Sequence, residues 1–310
     1  MFRMRVAACA AALALSAVHW QPAHAQFKSD PPDPAWLAKK AEMTKLGAQY
    51  KSAWDLYQHF KKEAKGGAQP AKNVPDWTGV WTRIASPFEY DPDQPPGGRP
   101  TANLTPKYKA QLDEIIEKRK KGIEYDPISK CGVPPGMPRW LAEPFLREFV
   151  PTPTETLLIN EAGNDIRRVY TDGRGHPPKE DQYPIYNGDS IGFWDGDKLV
   201  IHTDEMKAGE YQRGQPFHSD QVQTVEVWQK TADNIMDAYV WIYDPPSLVE
   251  PWFIRQRYQK LTDPKKEYRI RYWACGENQN NDITEEKNGA STFTDFTFTH
   301  EDDKKKDDNK

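Results

Sequence analysis

The chain has 310 residues, a formal net charge of −4 at pH 7 and 12% aromatic residues. A slightly acidic chain with no concentrated basic stretch offers no face for a phosphate backbone, so nucleic acid is excluded as an expected partner. Beyond a short N-terminal leader, no run is long and apolar enough to span a bilayer core of about 30 Å.

Residues 1–25 read as a secretory signal peptide: Arg3 and Arg5 precede the apolar run Val6–Val18, and Ala23-His24-Ala25 is an A-x-A cleavage site. The mature chain is then expected to start near Gln26, in the periplasm or outside the cell. Of the three cysteines, Cys9 leaves with the leader. An even pair in an exported protein points to a disulfide between Cys131 and Cys275, with two buried thiols as the alternative. Neither cysteine stands in a CxxC or CxH spacing, which argues against metal ligation by them.

Residues 26–73 form a polar segment that reads as a helical arm and linker. Trp36, Leu37, Met43, Leu46 and Tyr50 fall at roughly helical spacing, and Gly66-Gly67 ends the run. At 75–81 the text changes to PDWTGVW, which resembles the opening G-x-W of calycin (lipocalin-like) barrels. After a Pro/Gly-rich loop, Thr105 and Pro106 open a helix over 105–121 with its cations at the C-terminal end. From about 147 onward, short strands alternate with turn signals. Ser190–Trp194 and Lys198–Thr203 flank an Asp-Gly turn and read as a β-hairpin. In 222–228, Val222, Thr224, Glu226 and Trp228 share one face and Gln223, Val225 and Val227 the other. Further strands are expected at 235–243, 253–259, 268–274 and 291–299. Many strands with short links predict a mainly β fold: an antiparallel calycin-like barrel or strongly curved sheet over 74–300, with the helical arm and one additional helix. The charge-dense tail 301–310 reads as disordered.

His59, His176, His202, His218 and His300 lie beyond the leader. His176 and His218 follow turn and proline signals, as groups at a barrel rim do, whereas His202 ends an apolar strand and reads as packed. Asp172, Arg174 and His176 alternate, so in an extended segment they share a face. An Asp beside a His orients the ring, and an Arg can hold an oxyanion: the parts of acid–base chemistry on a small oxygenated molecule, or of a salt-bridged loop. His218 or Glu277 is a candidate second acid or base. His176, His202 and His218 with Glu226 or Glu277 suit zinc or iron by ligand type, but their spacings match no compact motif, so no metal site is assigned. No HExxH, P-loop, GxGxxG or nucleophile elbow is present, and the residues name no cofactor. Trp194, Trp228, Trp241 and Trp273 are strand or strand-edge tryptophans that suit either a core or an apolar cavity.

The blocks RRVYTDGRGHP, GDSIGFWDGDKLVIHT, PFHSDQVQTVEVW, IYDPPSLVEPW and YWACGEN occur in the order in which similar blocks occur in a family of exported bacterial proteins. The chain resembles that family over roughly 75–280, and the resemblance implies an exported β-rich domain. The chain carries Gly276 where similar proteins tend to have a histidine, which weakens a role for Glu277. The expected function is binding of a small apolar or aromatic ligand within the β-domain. The alternatives are an acid–base enzyme (hydrolase, lyase or isomerase) using Asp172, Arg174 and His176, and an envelope interaction module using the helical arm.

Overall fold

The computed structural model describes residues 34–85, 87–88, 102–123, 136–212, 215–273, 281–285 and 291–295. Residues 1–25, Cys131, Cys275, Glu277, His300 and residues 301–310 lie outside the described residues.

Nine strands close into a barrel. They are β1 (Val80–Ile84), β2 (Arg147–Pro151), β3 (Glu155–Asn160), β4 (Asp165–Tyr170), β5 (Asp189–Asp195), β6 (Lys198–Asp204), β9 (Gln223–Ala232), β10 (Ile235–Tyr243) and β11 (Trp252–Lys260). The order around the barrel is β1-β11-β10-β9-β6-β5-β4-β3-β2, and β1 closes on β2 through Val80 against Glu148 and Trp81 against Arg147. A closed sheet has no exposed edge to pair with another chain. The architecture fits the calycin-like class. It departs from an all-antiparallel barrel at one ladder: β4 and β5 run parallel, because the long connection 171–188 crosses back before β5 begins. Two short ladders lie outside the barrel, β7 (Gly209–Glu210) with β8 (Phe217–His218) and β12 (Asn281–Glu285) with β13 (Ser291–Asp295). Residues 268–273, expected as a strand, have no regular structure.

The strand alternation sorts the side chains into two cores. Inside, Trp77, Trp81, Phe149, Leu158, Trp194, Ile201, Trp228 and Tyr258 pack together. The same inner face carries a buried ion pair: the Arg167 guanidinium donates to both Glu226 carboxylate oxygens at 2.9 and 2.7 Å, and Ser190, Thr203, Thr224 and Trp228 complete the network. Burial alone pushes the Glu226 carboxyl up, but the Arg167 charge and the hydrogen bonds from Arg167, Trp228 and Thr224 outweigh it and hold it below its ordinary value. Arg147, also buried, donates through its two Nη atoms to carbonyls at Trp140, Glu143, Phe145 and Leu146 and to Asn160, while its Nε has no hydrogen-bond partner.

The second core lies on the outer face. Helices α1 (Pro34–Ala48) and α2 (Ala53–Glu63) pack on β5, β6, β9, β10 and β11, where Leu56 and Tyr57 meet Phe193, Val200, Val225, Trp241 and Phe253. Two sheet side chains cap the carbonyls at the end of α1: Trp241 Nε1 donates to Met43 O and Tyr243 Oη to Gly47 O, each at 2.8 Å. Gly47 is needed at that contact, since a Cβ there would sit 2.7 Å from Trp241 Cδ1. Helix α3 (Pro106–Lys120) begins as the sequence predicts, but the Thr105 hydroxyl donates to Pro246 O at 2.8 Å instead of capping the helix. No helix among the described residues is long and apolar enough to cross a membrane.

Candidate functional site

The hairpin β5–β6 turns through Gly196, whose φ of +62° suits the tight turn, and this turn fixes the register. Asp189 then falls opposite Asp204, and Ile191 opposite His202. Side-chain alternation puts Asp189, His202 and Asp204 on the outer face, beneath α2. The connection 171–188 bends back over the same end of the hairpin. It is pinned there by backbone hydrogen bonds from Ile185 N to Glu205 O and from Lys207 N to Ile185 O, both 2.9 Å. The bend delivers His176 to the two aspartates.

The result is a four-residue cluster. His176 Nδ1 lies 2.5 Å from Asp189 Oδ1 and 3.2 Å from Asp204 Oδ1, and His176 Nε2 lies 2.7 Å from His202 Nδ1. A carboxylate accepts only, so Asp189 fixes a proton on His176 Nδ1 and leaves Nε2 to share one proton with His202 Nδ1. Trp54 and Tyr57 of α2 cover the pair, with Trp54 edge-on to His202 at 5.2 Å and Tyr57 5.6 Å from it. Burial, and then the neighbouring His176, pull the His202 imidazole down to about 3, so it is neutral. Burial raises the Asp204 carboxyl to about 6; Asp189 and Glu205 push it the same way and His176 opposes them. Two buried polar atoms here, Tyr57 Oη and His202 Nε2, have no hydrogen-bond partner, and Asp204 Oδ1 has the ion contact with His176 Nδ1 at 3.2 Å but no hydrogen bond.

Asp204 is also a wall of a cleft of about 370 Å³ beside the start of α2, lined further by Lys51, Ser52, Glu205, Asp220 and Gln223. The lining is mixed: it carries both signs of charge, and Val222, Tyr243 and Pro245 add apolar surface.

The other candidates from the sequence sit elsewhere. Asp172 and Arg174 do come together, at 2.6 Å, but as an exposed pair with Arg174 over the Tyr170 ring; the aspartate on His176 is Asp189. His218 belongs to a separate buried group, its Nδ1 3.0 Å from Ser219 O and its ring 5.2 Å from Tyr211. In that group Ser219 and Ser247 both donate to Asp244. Trp194 and Trp228 are part of the packing that fills the barrel, Trp241 lies beneath α1, and Trp273 packs edge-on against Phe145 at 4.9 Å. Asp189 and Asp204 are the members of the cluster that sequence reasoning passed over, and His202 was read as packed. The turn at 196–197 carried the signal, because counting outward from it pairs the two aspartates.

No family model and no curated protein matches this chain.

Proposed function

We propose that this is an exported protein that binds a small, polar, oxygenated molecule at the outer face of its barrel, in the cleft beside Asp204. The observation that carries the reading is the cleft itself. Its volume of about 370 Å³ falls in the range of small-molecule sites, and its lining of Lys51, Glu205 and Asp220 with Asp204 offers both donors and acceptors. The barrel interior is instead occupied by tryptophans and by the Arg167–Glu226 pair, so the ligand is assigned to the cleft, where the charged groups give its polar atoms partners. The leader-like residues 1–25 support export.

The test is native mass spectrometry of the protein purified from the periplasmic fraction, comparing wild type with Gln223→Trp, which fills the cleft. A small molecule that accompanies wild type and is absent from the variant supports the reading. Its equal retention in the variant, or no bound species and no thermal shift with polyols, carboxylates and amines, refutes it. N-terminal sequencing of the same sample tests export, with a start near Gln26 expected.

A second reading, acid–base catalysis at the same place, is favoured by one contact, the 2.5 Å approach of Asp189 to His176 Nδ1. A ring oriented this way is the usual form of a general base. Loss of turnover in His176→Gln with unchanged ligand binding would separate it from simple binding.

A further inference from the structure

We propose that the His176–His202–Asp204 cluster holds a divalent transition-metal ion of the zinc–iron class, with Asp189 as the outer partner that orients His176. This rests on the reading above that the cluster and its cleft are the working site. One ligand atom from each of His176, His202 and Asp204 lies within 4.8 Å of the other two. Two imidazoles and one carboxylate are a donor set for zinc and for non-haem iron, and they leave coordination positions open.

Four independent features of the cluster point to a cation. The first is charge. Asp189 and Asp204 stand directly opposite on adjacent strands, with Glu205 next in sequence, and both carboxylates lean on the same His176 Nδ1, at 2.5 and 3.2 Å. Like charges in that position repel, and a divalent cation removes the repulsion. The second is the proton count. With Asp189 accepting from His176 Nδ1, the Nε2 lone pair faces His202 Nδ1 across 2.7 Å, and a single proton occupies the gap. A metal ion replaces that proton. Tetrahedral ligation with bonds of about 2.0–2.1 Å needs the two nitrogens roughly 3.3 Å apart, an opening of a few tenths of an ångström. The third is Asp204 Oδ1, a buried acceptor that makes no hydrogen bond and has the 3.2 Å approach of His176 Nδ1, a nitrogen already committed to Asp189. His202, itself 1% exposed, adds an unpartnered ring nitrogen. The fourth is Asp189. A ligating histidine almost always passes its second N–H to a carboxylate or carbonyl, and Asp189 on His176 Nδ1 is that arrangement. Asp204 belongs both to the cluster and to the wall of the cleft, so it is the residue that joins the ion's site to the space assigned to the ligand.

The experiment uses the full mature protein, stripped with a chelator and dialysed, then titrated with zinc chloride and, anaerobically, with iron(II), with magnesium as the oxygen-preferring control. Metal content, calorimetry and the thermal midpoint are read together. Wild type should take up one ion per chain and rise in midpoint, with no response to magnesium. His176→Gln and Asp204→Asn should lose the ion. Asp189→Asn should keep it with an affinity about 10–100-fold weaker, the usual cost of removing an outer-shell carboxylate. His59→Ala, which removes a half-buried histidine beside Glu63 and outside the cluster, should bind as wild type. His202 is fully buried, so the variants at the more accessible His176 and Asp204 carry the test, with circular dichroism confirming that each is folded. Substoichiometric uptake by wild type, or uptake unchanged in both His176→Gln and Asp204→Asn, overturns the proposal. Gln223→Trp separates the two readings. A cleft ligand without a metal overturns this proposal alone, and a metal retained with no cleft ligand in any form overturns the binding reading alone.

Discussion

Asp189 and Asp204 face one another across the β5–β6 ladder, and the His176 ring lies against both carboxylates. Two acids in that position are a poor choice for stability, and the buried charges of this fold and the backbone that leads into β5 have four measurable consequences.

Neutralising one of the facing acids should stabilise the metal-free protein. Cross-strand like charges cost about 0.2–1 kcal/mol, and the Asp204 Oδ1 contact that the change weakens, 3.2 Å from His176 Nδ1, is not a hydrogen bond, since that nitrogen is bonded to Asp189. Asp204→Asn should therefore raise the urea midpoint of chelator-treated protein by that order while abolishing the response to zinc. Equal or lower stability of the chelated variant would sink the idea that the acid pair strains the cluster.

The Arg167–Glu226 pair inside the barrel should behave as a unit. Arg167→Met leaves the Glu226 carboxylate buried and unpaired, and should cost about 3–5 kcal/mol. The double variant Arg167→Met/Glu226→Leu should recover most of that loss, because a packed apolar pair has no charge to desolvate. Additive losses in a denaturation cycle would argue that the two side chains act separately.

Acid should unfold the protein in part through Glu226. Its carboxyl is held below its ordinary value in the folded chain, so its contribution to stability is present above the unfolded value and is lost as pH falls through the folded one. The loss should begin near the ordinary value of 4.5 and continue below it. Thermal midpoints of wild type and Glu226→Gln should converge as pH falls through that window. Parallel curves would show that Glu226 titrates alike in both states.

Gly188 sets the start of β5, one residue before Asp189, with φ at +66°. A Cβ there would overlap the Asp204 carbonyl oxygen and crowd Met206 Cγ at 2.6 Å. Gly188→Ala should cost about 2–5 kcal/mol from the positive φ and the forced shift together. It should also weaken zinc binding, since the displaced segment carries Asp189. A variant with wild-type stability and metal affinity would show that the backbone here yields without disturbing the cluster.

Local rules settled much of this protein in advance. Alternation at 222–228 put Thr224, Glu226 and Trp228 on the face that proves to be internal, and the Asp-Gly turn announced the hairpin, because both follow from the two-residue period of a strand and the geometry of a tight turn. The helix after Pro106 was equally legible from its first residues. The barrel class followed from counting strands and turn signals. The site did not follow in the same way. Asp172 is near His176 in sequence and was the natural partner, yet the bend of 171–188 turns Arg174 back onto Asp172 and presents His176 to Asp189 and Asp204. His202 looked like packing because it ends an apolar strand; it is buried, and it is also the second imidazole of the cluster. Of the tryptophans that suit a cavity, Trp194 and Trp228 fill the barrel, whereas Trp241 lies under the helices on the outer face and Trp273 packs on Phe145. Sequence pattern reports which face a residue takes on its own element. Which elements share that face is decided by the crossover between β4 and β5 and by α2 lying over the hairpin, contacts between distant parts of the chain that no local period encodes.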